Sequence, residues 1–167
     1  MTTAVDRETL SIYLNDHLAG LVAAIDLIDH LIADDPDPAL ARELIDLQSG
    51  LQLEQRTLRT VIDSVGSESK LSQAMAWVGE KVARLKVGYG PADSPSLRRF
   101  EALETLALGF CSRRLLWHTL EHLAENGVLH SELDFQDLEQ KAGHDAGKLE
   151  ALRLAASVEA LTQPSTA

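Results

Sequence analysis

The chain has 167 residues, 45% of them hydrophobic and 25% charged, enough for one domain to bury a full core without disulfide or metal staples. A formal net charge of −11 argues against a general nucleic-acid or anionic-membrane binder, because phosphate groups are met by lysine and arginine. The single cysteine, Cys111, excludes an intramolecular disulfide framework.

The first residues, Met1–Glu8, are polar and acidic and lack the basic-then-apolar layout of a secretory signal. Uninterrupted apolar runs are far shorter than a membrane span, so a cytoplasmic location without membrane partners is the expectation. Charge is uneven along the chain. Residues 1–66 hold 12 acids and 4 bases (−8), 67–126 hold 7 and 8 (+1), and 127–167 hold 7 and 3 (−4). Such a pattern suits solvated faces on separate helices, or a mid-chain basic surface that docks on an acidic surface of a second copy.

Leu10–Ile32 is the clearest element. Apolar residues at 10, 14, 18, 21, 25, 28 and 32 draw one stripe along a helix, with no proline in the run. Asp6 is its expected N-cap, with Glu8 in the first turn where the helix dipole favours negative charge. Asp34-Asp35-Pro36-Asp37-Pro38 ends it near Ala33 and opens the next helix after a short link. That second helix is expected from Ala39 to Val65, with Leu40, Leu44, Leu47, Leu51, Leu58 and Val65 on one stripe. Glu54 stands in the same row, and Gly66 closes the helix.

A shorter third helix is predicted over Ser69–Lys86, with Leu71, Met75, Val78, Val82 and Leu85 inward and Lys81, Arg84 and Lys86 crowding its C-terminal end. Gly88–Asp93 is a loop by composition. Ser94-Pro95 then caps and starts a fourth helix that runs to Asn126 and closes at Gly127. Its apolar row is Leu97, Phe100, Leu103, Leu106, Phe110, Trp117, Leu120 and Ala124. Asp134 opens a fifth, with Asp137 as an imperfect capping box and Leu138, Ala142, Leu149, Leu152 and Ala156 as the apolar line. No alternating β-branched run is present. The expectation is an all-α, antiparallel four-helix bundle, a single domain over 1–167, with one extra short helix between the second and third long ones. Residues 1–5 and 163–167 are expected to fray.

The order of a long helix, an acidic proline turn, a long, a short and two further long helices resembles the ferritin-like superfamily. The run Leu53-Glu54-Gln55-Arg56-Thr57-Leu58 through Val61-Ile62 to Val65-Gly66 is similar in texture to the second helix of stress-related members. The resemblance implies a ferritin-like bundle. Metal-binding members carry a glutamate on each of two helices and Glu-x-x-His on the other two. Here Glu54 is followed three residues on by Thr57, and Glu139 by Ala142, so that motif is incomplete. The inward candidates are His17, Glu54 and His144, with Asp145 beside the last. A di-metal centre needs about four to six carboxylate or imidazole ligands, so no metal is the expectation, with iron or manganese the alternative.

Other polar features have structural readings beside the chemical ones. A charged Glu54 in a leucine row is costly to bury alone, and His17, Arg113 or Arg114 are candidate partners in a contact that aligns the helices. His118 and His122 share a face at metal-ligand spacing with Glu121 between them, but Thr119 replaces the glutamate of the metalloprotease motif. The C-terminal dipole of the helix accounts for both histidines without a metal. Cys111 is expected to be a buried structural thiol. Gly143 and Gly147, beside Ala142 and Ala146, suggest a smooth strip for close helix packing, or a kink that gives room to a small ligand.

No phosphate loop, dinucleotide fingerprint or nucleophile elbow occurs in the sequence. The functional expectation is a non-catalytic, homodimeric protein with a structural or interaction role. A metal-binding stress protein is the alternative, and a small-molecule binder of unspecified ligand a third possibility.

Overall fold

A computed structural model describes residues 5–66 and 94–162, which form four α-helices and, among the described residues, no strand. They are α1 (Arg7–Asp34), α2 (Pro38–Val65), α3 (Pro95–Glu125) and α4 (Phe135–Leu161). The expected short helix over 69–86, the loop over 88–93 and the fraying of 1–4 and 163–167 lie outside the described residues.

Short polar side chains decide where the helices begin. Asp6 accepts from the amides of Glu8 and Thr9, Asp37 from Ala39, Ser94 from Leu97 and Asp134 from Asp137. Each satisfies an amide that the first helical turn leaves unpaired. Prolines 38 and 95 occupy first-turn positions, where the missing N–H costs nothing. Gly66 and Gly127 terminate α2 and α3 at φ of 63° and 68°, the left-handed region that glycine enters without a Cβ penalty.

Most of the expected apolar residues are buried, while Ile25, Ile32, Leu97, Phe100, Ala124, Leu138 and Leu152 are half-buried. In α1 Leu14 and Ile28 are fully buried; in α2 Leu44, Leu47, Leu51 and Leu58; in α3 Leu103, Leu106, Phe110, Leu116, Trp117 and Leu120. Each such side chain contributes about 1.5–3 kcal/mol relative to staying in water. Val5, expected in the frayed start, is half-buried against this core. In α4 the inward row is small, with Ala142, Leu149 and Ala156 behind Phe135.

Long-range contacts tie particular helix ends together. Arg7 at the start of α1 donates to the Val65 carbonyl at the end of α2, and Gln48 donates to Asp29 at 2.7 Å. At the other end of α1, Asp35 takes the Arg99 guanidinium from the first turns of α3. The same guanidinium reaches Glu159 near the end of α4 at 2.8 Å. None of the described helices is long and apolar enough to cross a membrane.

Two expectations need correction. Cys111 is exposed rather than buried. Positions 103, 106, 110, 113, 117 and 120 of α3 face the core, and residue 111 stands a further 100° round from 110. The glycine pair of α4 does not admit another backbone. A Cβ on Gly143 would meet only the Arg114 side chain, at 3.6 Å, and one on Gly147 would meet nothing within 4 Å. The helix continues through both.

Candidate functional site

Glu54 is 6% exposed and sits among α2 leucines, where a lone carboxylate would lose its hydration without compensation. Its partners come from α3. Trp117 Nε1–H donates to Oε1 at 2.7 Å, Arg113 Nε–H donates to Oε2 at 2.8 Å, and Arg113 Nη2 bonds the same oxygen. Arg113 and Trp117 are four apart on one helix, so a single turn of α3 presents both donors to one carboxylate. Both carboxylate oxygens are thereby engaged.

Arg113 is at least as buried as the carboxylate, at 5% exposed. Nη2 also reaches Asp145 Oδ2 of α4 at 3.4 Å, so three helices meet at one cation. The guanidinium carbon lies 4.5 Å from the Phe110 ring centroid, where the π-face attracts positive charge. Nη1 is buried and has no hydrogen-bond partner. Trp117 in turn stacks on Phe135, the first residue of α4, with centroids 6.1 Å apart. Asp145 is held close: a Cβ on Gly50 of α2 would lie 3.2 Å from its Oδ2.

The sequence candidates are dispersed around this centre. Among them, Glu54 and the neighbouring Asp145 are drawn to Arg113. His17 packs its ring edge-on to Tyr13 with centroids 4.7 Å apart, and its Nδ1 lies 3.5 Å from Ser112 Oγ. His144 is exposed and belongs to the outer face near Asp46. There the hydrogen-bonded Lys148 ammonium, at 2.8 Å, holds the Asp46 carboxyl below its ordinary range, with a smaller pull from His144. Of the two arginines named as partners for Glu54, Arg113 is the one that fills the role. Trp117 was not singled out as a site residue. Its signal was present in the sequence, since a buried indole N–H needs an acceptor and Arg113 is four residues away.

A second cluster lies on the outside of α3 and α4. His118 Nδ1 is 3.0 Å from Glu139 Oε2, and Arg114 Nη1 is 3.9 Å from Oε1 of the same carboxylate. With Glu121 these groups offer three potential donor atoms within 4.8 Å of one another. His122 instead turns towards Asn126 at the end of α3, 3.5 Å away. The contacts with His118 and Arg114 already account for the position of Glu139.

No family model, curated protein or solved structure matches the chain. Chemical inference therefore rests on the side chains. A buried carboxylate with both oxygens bonded is neither a free base nor an open ligand.

Proposed function

We propose that the chain is a non-catalytic, antiparallel, ferritin-like bundle with a structural or protein-interaction role, acting as a homodimer. The observation that carries this reading is the occupation of Glu54 by Arg113 and Trp117. A guanidinium supplies positive charge to the inward carboxylate, the part an ion would play in a metal-binding bundle.

Contacts along the helices support the architecture. Pairs 7–65 and 29–48 support an antiparallel course for α1 and α2, and pairs 99–159, 104–153 and 118–139 support the same for α3 and α4. Through the contacts 7–65 and 35–99, the end of α2 and the start of α3 fall at opposite ends of α1. One long crossover is what distinguishes ferritin-like bundles from simple up-down ones.

The interaction face is on α4. Leu154, Val158 and Leu161 are 51%, 64% and 65% exposed and follow each other at four and three residues, with exposed Ala151 and Ala155 beside them. An uncharged ridge of this kind is self-complementary across a two-fold axis, whereas the acidic remainder of a −11 chain repels its copy. Light scattering after size exclusion tests it. The wild type is expected as a dimer at micromolar concentration, and Leu154→Glu/Val158→Glu as a monomer with unchanged helicity. A wild-type monomer would refute the dimer. Stoichiometric iron or manganese in untagged protein, lost in Glu54→Ala, would replace the non-catalytic reading with the metal-binding one.

A further inference from the structure

His118, Glu121 and Glu139 meet on the outer side of the bundle, where α3 and α4 pack together. His118 and Glu121 stand three residues apart and so share one face of α3, while Glu139 opens the second turn of α4. One potential donor atom from each lies within 4.8 Å of the other two. The stack of Trp117 on Phe135, next to these residues on both helices, holds the two backbones at this spacing.

We propose that these three residues form a zinc site that ties α3 to α4. The first argument is geometry. His118 Nδ1 and Glu139 Oε2 are 3.0 Å apart. Two donors held about 2.0–2.1 Å from a tetrahedral zinc stand about 3.3–3.5 Å from each other. A zinc ion therefore enters between them once they open by a few tenths of an ångström. At Nδ1 it takes the place of the hydrogen in the present bond, and the imidazole carries its proton on Nε2 instead. Glu121 supplies the third donor by turning its side chain. Among the described residues it makes no hydrogen bond or ion pair that this would break. Arg114 lies 3.9 Å from the other Glu139 oxygen, Oε1, and so steadies the carboxylate with Oε2 towards the ion.

The second argument is charge and donor type. Two carboxylates come together here on a chain of net charge −11, and Arg114 offsets only one of them. A divalent cation relieves the remaining repulsion. One imidazole with two carboxylates suits zinc better than calcium or magnesium, which take oxygen ligands in sets of about six or more. Manganese and ferrous iron accept the same donors but stand below zinc in affinity at a given site. Three protein ligands leave the fourth position to water, and His118, with its side chain 65% exposed, keeps that position at the surface. His122, turned towards Asn126, is not part of the set. The site is separate from Glu54, so it does not depend on how the core carboxylate is occupied.

Titration calorimetry of the untagged, EDTA-treated chain with zinc chloride tests the site. The expected result is one zinc per chain. Affinity should fall about tenfold or more in His118→Ala, Glu121→Gln and Glu139→Gln and stay unchanged in His122→Ala. Glu121→Gln is the decisive variant, because it removes a ligand without removing a contact of the metal-free fold. Its helicity and its urea midpoint without zinc should be no lower than those of the wild type. Zinc should raise the wild-type midpoint, and that rise should vanish in Glu121→Gln. No zinc uptake by the wild type would overturn the proposal. Several weakly bound ions, with number and affinity unchanged across the variants, would overturn it too. So would affinity lost in His122→Ala but kept in Glu121→Gln and Glu139→Gln.

Discussion

Arg113 and Glu54 form a buried ion pair between α3 and α2, each about nineteen-twentieths shielded from water. Such a pair is costly to half-remove. Glu54→Leu leaves a buried guanidinium whose remaining carboxylate is Asp145 at 3.4 Å, and it is expected to lower stability by about 3–5 kcal/mol. Adding Arg113→Met should recover most of that loss, because two apolar side chains replace two desolvated charges. Recovery falls short of complete because Trp117 Nε1 then lacks its acceptor, at a cost of about 1–3 kcal/mol. Urea unfolding of the four members of this cycle measures the coupling.

The glycines of the helices should respond in opposite directions. Gly147→Ala places its methyl where nothing lies within 4 Å and removes a helix-interior glycine, for a gain of up to about 1 kcal/mol. Gly66→Ala forces alanine to a φ of 63° and should cost about 1–2 kcal/mol. Thermal melts of the two variants, compared with wild type, give both signs.

Acid should destabilise the fold through carboxylates held in their charged form. The Asp6 carboxyl is lowered by the Thr9 hydroxyl and by the amides it caps, Asp46 by Lys148, and Glu150 by Arg153. A depressed folded-state pKa adds stability above the unfolded-state value, and that stability is lost as pH falls through the folded one. Stability measured by denaturant should therefore be flat through neutral pH and fall below the ordinary carboxylate range. Asp6→Asn, which keeps a cap but cannot titrate, should make that fall shallower.

Cys111 is exposed and should react with a thiol reagent in the native state at one equivalent, without prior unfolding. Cys111→Ser should change stability by no more than about 0.5 kcal/mol. Protection of the thiol in the native protein, released by urea, would contradict the exposure.

Helix limits were legible because they depend on neighbours in sequence. Aspartates, serine and glycines at residues 6, 37, 94, 66 and 127 mark boundaries the structure shares, with shifts of one residue where α1 runs on to Asp34, α2 begins at Pro38 and α3 stops at Glu125. The demand of Glu54 for a partner was legible too, since a carboxylate in a leucine row needs one. Choosing Arg113 over Arg114 was not. One residue on a helix is 100° of rotation, and only the docking of α3 decides which arginine turns inward. Cys111 was misplaced for the same reason, because its neighbour Phe110 is buried while it is not. The cluster of His118, Glu121 and Glu139 needs two helices side by side, so spacing along α3 alone suggested His122 in place of Glu139.

Among the described residues, nine of the twelve largest fully buried side chains are leucine, and leucine fits almost as well one turn away as in place. A core so uniform tolerates slips of about 5.4 Å between neighbouring helices with little loss of apolar contact. Only one alignment of α3 against α2 lets Glu54 take both Arg113 and Trp117; a slip in either direction would strand a charge in oil. Removing both charges together should therefore yield a chain that keeps most of its stability yet is less certain of its own shape, visible as doubled or broadened resonances from residues near Trp117.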